Sequence, residues 1–142
     1  MLEGQTHYRV LEGFATFAAI TAAGIGYLLR TLLGNIIARV RPYEAGDVVH
    51  LLNGGASGYS FPSGHATAAF AIACAVLPDR PVLGLLLLIA AFLVSAGRVM
   101  VGVHYPLDVV GGAILGALVA GVVRATLKRF RRRVRLSHRL SS

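Results

Sequence analysis

The sequence predicts an all-α helical bundle embedded in a membrane, with about four spanning helices, and three observations carry that prediction. The 142 residues are 56% hydrophobic and only 14% charged, where a soluble domain carries about a quarter charged residues. The apolar residues fall into long runs, with a mean hydropathy of +0.69 for the whole chain. Three clusters of histidine and arginine lie at the ends of those runs. Backbone groups in hydrocarbon must find partners inside their own segment, so such runs mean helices, and the core must lie between them. The length fits one domain, residues 1–127, followed by a basic tail at 128–142.

The first apolar run extends from Gly13 to Leu29 without a charge and continues past Arg30 to about Ala38. It is long enough to cross about 30 Å of hydrocarbon. The region before it, with Glu3 and Glu12 around Arg9, lacks the basic start, short apolar stretch and cleavage site of a signal peptide, so the first helix itself is expected to direct insertion. A loop over residues 43–61 follows, marked by Gly46, Asn53-Gly54-Gly55 and Gly58. The second run begins near Pro62 and ends before Pro78-Asp79-Arg80-Pro81. At roughly 16 residues it is a marginal span, which places its N-terminal end in a protein-lined pocket rather than in lipid. The third covers Val82 to Gly97, and the prolines bracketing Asp79 and Arg80 join it to the second as an antiparallel hairpin. The fourth runs from about Leu107 to Leu127, where Gly112 and Gly116, like Ala113 and Ala117, are four apart and allow close helix packing.

Net charge is +8. Spread over a soluble face it would suggest nucleic acid, but eight of the 14 Lys and Arg lie between Arg124 and Arg139. Lys128, Arg129, Arg131, Arg132, Arg133 and Arg135 directly follow an apolar run, the setting of a cytoplasmic anchor in contact with anionic lipid. No aromatic interleaving or recognition module accompanies them, which argues against a nucleic-acid partner. With the tail in the cytoplasm of a plasma-membrane protein, the N-terminus and the 79–80 turn fall on the same side, and the 39–61 and 98–106 loops fall outside. The single Cys74 cannot form an intrachain disulfide.

Three polar clusters then share the external side: Arg39-Val40-Arg41-Pro42, Phe61-Pro62-Ser63-Gly64-His65, and Arg98 with His104 and Asp108. Polar residues beside membrane helices are functional candidates by default. Pro62 suits the first position of a helix, and Ser63, Gly64 and His65 then occupy a first turn whose backbone N–H groups favour an anion. Glycine permits close approach, serine adds a hydroxyl donor, and histidine supplies a proton near neutral pH. His104 and Asp108, four apart around Pro106, can bring a carboxylate to an imidazole, fixing its tautomer and stabilising its cation. Arg41 and Arg98 offer permanent charge and planar donor forks. Taken singly, each cluster has a plainer reading: a helix cap beside an incidental histidine, a loop histidine beside a capping aspartate, arginines snorkelling to headgroups. Their convergence favours a site.

In order and spacing, Arg41-Pro42, Pro62-Ser63-Gly64-His65, and Arg98 to His104 to Asp108 resemble the type 2 phosphatidic acid phosphatase superfamily, which includes membrane lipid phosphatases and soluble vanadium haloperoxidases. The resemblance covers roughly residues 30–125. It implies a lipid phosphatase in which His104 attacks phosphorus to form a phosphohistidine, Asp108 orients it, and His65 protonates the leaving oxygen. Arg41, Ser63, Gly64 and Arg98 would stabilise the transition-state oxygens, with no metal and no cofactor. The stretch around His104, Gly102-Val103-His104-Tyr105-Pro106-Leu107-Asp108-Val109-Val110-Gly111-Gly112, is similar to bacterial undecaprenyl diphosphate phosphatases of this superfamily. Undecaprenyl diphosphate is therefore the leading substrate, with phosphatidic acid and phosphatidylglycerol phosphate as alternatives and a non-catalytic phospholipid-binding protein as the rival of another class. Two departures stand out. The family's lysine, seven residues before Arg-Pro, is Gly34 here, with Arg30 and Arg39 as candidates to replace its charge; the serine before the arginine is Gly97. Helices that precede the first motif in many members are missing or reduced to one, which leaves open a compact subfamily, a truncated chain, or a homo-oligomer that completes the fold.

Overall fold

The computed structural model describes residues 2–46 and 58–140. Most of the expected glycine-rich loop, including Asn53, Gly54 and Gly55, lies outside the described residues. Among the described residues five helices appear in order, α1 Leu2–Ile37, α2 Pro42–Ala45, α3 Gly64–Val76, α4 Pro81–Met100 and α5 Pro106–Leu140, and there is no strand. The four expected apolar runs are thus all helical. Among the described residues three helical stretches, Gly13–Ala45, Pro81–Met100 and Pro106–Arg133, are long and apolar enough to cross a membrane. With 13 residues, α3 reaches only about 20 Å at 1.5 Å per residue. It needs no full span of its own, because its neighbours shield it.

Boundaries differ from the expectation in four places, each for a local reason. Helix α1 begins well before Gly13, while its passage through Arg30 and its end, where Ala38 turns left-handed at φ 50°, are as expected. Within the expected loop, Pro42–Ala45 forms one helical turn, which Gly46 closes at φ 79°. Pro62 does not open α3: Ser63 is the N-cap and Gly64 the first helical residue, with a cis bond between Phe61 and Pro62. Finally, the basic segment is a helical continuation of α5 rather than a separate tail. No Gly or Pro follows Gly121, and Lys, Arg and Leu are good helix formers.

Helix α3 is central, packed against α5, α1 and α4, while α4 touches α5 only slightly. Small residues make this possible. The core consists of Ala18, Ala19 and Ala22 of α1, Ala71, Ala75 and Val76 of α3, and Val119, Ala120 and Val123 of α5. Gly112 and Gly116 face α3: a Cβ on Gly112 would stand 2.6 Å from the Ser63 carbonyl oxygen, and one on Gly116 2.9 Å from the Ala71 nitrogen. Large apolar side chains point outward instead, among them Phe17, Leu28, Leu86, Phe92, Leu118 and Val122. A core of alanine under a coat of leucine and phenylalanine suits a lipid solvent, where close backbone approach drives packing.

At one end of the bundle a partly buried ion pair ties three elements together. Arg124 of α5 donates to both Asp79 oxygens, at 2.6 and 3.0 Å, and to the Ala75 carbonyl. Its guanidinium lies 5.5 Å from the centre of the Phe14 ring on α1. The three polar clusters occupy the other end.

Candidate active site

A cavity of about 480 Å³ opens at that other end, lined by Tyr27 and Arg30 of α1, Arg41, Gly64, His65 and Ala68 of α3, Arg98 of α4 and His104. Residues from all three clusters therefore meet. Gly64 opens α3 against Arg30: a Cβ there would stand 3.0 Å from the Arg30 Nε, so the missing side chain leaves room for a guanidinium at the helix start. The first-turn N–H groups of α3 and the positive end of its dipole face the same space.

Each cation is held differently. Arg41 is 2% exposed. Its Nε donates to the Gly58 carbonyl at 2.9 Å, Nη1 to the Val103 carbonyl at 2.9 Å and Nη2 to the Tyr59 carbonyl at 3.3 Å, joining the 58–59 and 103–104 segments. Arg30 donates from Nη2 to the Tyr59 carbonyl at 3.3 Å. Arg98 leaves the last turn of α4 with a buried Nε. Among the described residues, Arg30 Nε, Arg98 Nε, Ser63 Oγ, Ser95 Oγ and His104 Nδ1 are buried without a hydrogen-bond partner in the protein. Each such group costs about 1–3 kcal/mol unless something satisfies it. Three of the five belong to residues that line the cavity.

The two histidines stand in contrasting settings. His65 is exposed at the cavity mouth, whereas His104 is 3% exposed. Asp108, in the first turn of α5, is fully buried. Its Oδ2 lies 3.7 Å from His104 Nδ1, longer than a hydrogen bond. Asp108 accepts instead from Arg39 Nη1 at 2.8 Å, from the Tyr105 N–H at 2.8 Å and from the Ser60 hydroxyl. Its own carbonyl accepts the Ser63 N–H at 2.9 Å, tying α5 to the cap of α3.

Of the two arginines expected to replace the missing lysine, only Arg30 lines the cavity; Arg39 faces Asp108. At Gly34 a Cβ would stand 3.3 Å from the Phe61 carbonyl oxygen. Arg30, one helical turn earlier, reaches that same 59–61 segment. Gly97 opens onto free space. Sequence reasoning passed over Tyr27, Ser60 and the Tyr105 N–H. Tyr27 is one turn before Arg30 and so shares its helix face, a signal that was available; Ser60 carried none. No group of three or more His, Cys, Asp or Glu among the described residues is placed to hold a metal ion.

This geometry has relatives. The family profile of the PAP2 superfamily matches residues 15–132. An undecaprenyl-diphosphatase of Sulfolobus acidocaldarius is 37% identical over 68% of this chain and 49% of its own length. Undecaprenyl-diphosphatase BcrC of Bacillus subtilis is 36% identical over 83% of this chain and 58% of its own. The chain thus spans about half the length of these relatives. A crystal structure of a transmembrane PAP2-type phosphatidylglycerolphosphate phosphatase from Bacillus subtilis superposes with a TM-score of 0.64 at 26% identity, covering 88% of this chain and 70% of that one. Profile, relatives and fold agree: this chain is a multi-pass membrane member of the PAP2 superfamily.

Proposed function

We propose that the protein is a metal-independent phosphatase of a lipid phosphate or diphosphate, acting through a phosphohistidine. The observation that carries this reading is the convergence of Arg30, Arg41, His65, Arg98 and His104 on one cavity, where Arg30 Nε, Arg98 Nε and His104 Nδ1 are buried without a hydrogen-bond partner in the protein. A phosphoryl group supplies several acceptor oxygens at once, and its transfer needs chiefly positioning and charge stabilisation.

In the first step the free Nε2 of His104 attacks phosphorus as the bond from phosphorus to the leaving oxygen breaks. His65 gives its proton to that oxygen. Asp108 accepts the Nδ1 proton's hydrogen bond and stabilises the cationic phosphohistidine. Arg30, Arg41 and Arg98, with the Ser63 hydroxyl and the backbone at Gly64, spread the charge of the equatorial oxygens. A water then attacks phosphorus, His65 takes its proton, and the bond from His104 to phosphorus breaks to release phosphate. Arg30 supplies the charge of the lysine missing at position 34.

Undecaprenyl diphosphate is the first substrate in this proposal, favoured by the names of the two relatives; phosphatidylglycerol phosphate and phosphatidic acid follow. The basic end of α5 faces the cytoplasm and the cavity faces outward across the plasma membrane, the orientation that the positive-inside rule favours.

Phosphate release from undecaprenyl diphosphate, phosphatidylglycerol phosphate and phosphatidic acid by detergent-purified protein, with and without EDTA, tests the reading. The expected result is EDTA-resistant release that falls by about 10³-fold or more in His104→Ala. No release in detergent or in reconstituted bilayers would instead support a non-catalytic phospholipid-binding member.

A further inference from the structure

Asp108 poses a physical problem that its own helix does not solve. A fully buried carboxylate tends to take up a proton unless charge and hydrogen bonds compensate it. Around this one, Arg39 Nη1 donates to Oδ1 at 2.8 Å, while the Ser60 hydroxyl and the Tyr105 N–H donate to Oδ2. The donors are themselves braced. The Arg39 guanidinium lies 4.1 Å from the centre of the Tyr105 ring, and the Ser60 N–H donates to the Arg39 carbonyl at 2.8 Å. Residues 39, 60 and 105–108 thus close into one unit behind His104. Neither Arg39 nor Ser60 lines the cavity.

We infer that Arg39 and Ser60 are positioning residues that hold Asp108 ionised and aimed at His104, and that neither binds the phosphoryl group. The inference rests on the reading of His104 as nucleophile. Asp108 Oδ2 stands 3.7 Å from His104 Nδ1, so a closure of about 0.9 Å makes the hydrogen bond that orients the imidazole. Arg39 fixes the far oxygen while that closure takes place. Ser60 fixes the near one, and its hydroxyl, a single rotor, can yield an acceptor site to the incoming Nδ1–H. Arg39 therefore differs in kind from Arg30: both are cations of the first motif, but one acts on the nucleophile's partner and the other on the substrate.

The test separates kcat from KM with whichever of the three lipids the phosphate-release assay shows to be turned over fastest, using wild type and His104→Ala as controls. Arg39→Gln is expected to lower kcat by about 10–100-fold and Ser60→Ala by about 3–10-fold, the usual cost of a hydrogen bond to a charged group. KM should stay within about twofold, since ground-state binding is untouched. Arg39→Lys should recover part of the loss. In an Asp108→Asn background neither substitution should cost more, because the groups act as one unit. A raised KM with intact kcat, or a full additional loss on top of Asp108→Asn, overturns the inference. Should Arg39→Gln not purify as folded protein, Ser60→Ala, which removes one hydroxyl, decides between the same outcomes. Phosphate release that persists in His104→Ala removes the nucleophile reading, and this inference with it.

Discussion

Arg98 and Arg124 are arginines of neighbouring helices at opposite ends of one small bundle, and the protein treats them in opposite ways. Arg124 gives its donors to Asp79 and the Ala75 carbonyl and stacks near Phe14. Arg98 has a buried Nε without a protein partner, beside Arg30 Nε and His104 Nδ1 in the same condition. One end is complete without a ligand; the other is not. Where the same chemical group is satisfied, it fastens helices. Where it is left unsatisfied around a cavity, stability has been given up for binding, the usual sign of a functional site.

The largest effect that sharpens this contrast is expected at the unsatisfied end. Arg98→Ala should lower kcat/KM for phosphate release by about 10²–10³-fold, the scale of losing one preorganised donor to a transition-state oxyanion. Its thermal midpoint in phosphate-free detergent should be unchanged or higher, because the substitution removes an unpaired charge from among other cations. Added inorganic phosphate should raise the midpoint of wild type through linkage and leave Arg98→Ala where it was. A large loss of stability in Arg98→Ala would break the contrast, since it would make Arg98 a fastener as well.

A smaller effect with the opposite signature is expected at the satisfied end. Arg124→Ala should cost about 3 kcal/mol of stability, mostly from leaving Asp79 without its partner, while kcat/KM per folded molecule stays near wild type. Acid supplies a check without mutation. The Arg124 hydrogen bond holds the Asp79 carboxyl below the ordinary carboxylate range, against the upward pull of burial. A depressed folded value means that the pair's stabilisation is present above the unfolded value, about 3.9, and is lost as pH falls through the folded one. The gap in thermal midpoint between wild type and Asp79→Asn should therefore be full at pH 7 and shrink below pH 4. A gap that persists unchanged in acid would mean that Asp79 acts through shape rather than charge.

How much of this was legible in the sequence follows from the range of each interaction. The helices, the hairpin turn and the Gly112 and Gly116 packing were read from local spacing, because hydrophobic runs and small-residue repeats act within a few turns. The convergence of Arg41, His65, Arg98 and His104 was also legible, since topology alone puts the ends of alternate helices together. What escaped were partners far apart in the chain: Arg39 with Asp108, 69 residues on, Ser60 with Asp108, 48 on, and Asp79 with Arg124, 45 on. No periodicity links such pairs. The continuation of α5 into the basic segment was missed for another reason. Charge ends the apolar run that marks a span, but it does not end a helix.

The smallest effects come from two glycines at comparable close approaches, one at each end. A Cβ at Gly112 would stand 2.6 Å from the Ser63 carbonyl oxygen and 3.0 Å from the Ala66 Cβ, pressing on the turn that carries Ser63, Gly64 and His65. A Cβ at Gly84 would stand 2.7 Å from the Leu77 Cβ, pressing on the turn that carries Asp79. Both alanine substitutions are overpacking changes, worth about 1–2 kcal/mol of stability each. Thermal unfolding should therefore barely distinguish them. Kinetics should: Gly112→Ala shifts the start of α3 relative to Arg30 and His104, and a displacement of a few tenths of an ångström in a positioned site costs about tenfold in kcat/KM, whereas Gly84→Ala leaves the cavity where it is. Equal activity in the two folded proteins would mean that the α3 start absorbs the push without moving its cap. The site would then be softer than its hydrogen bonds to Asp108 and Thr67 imply.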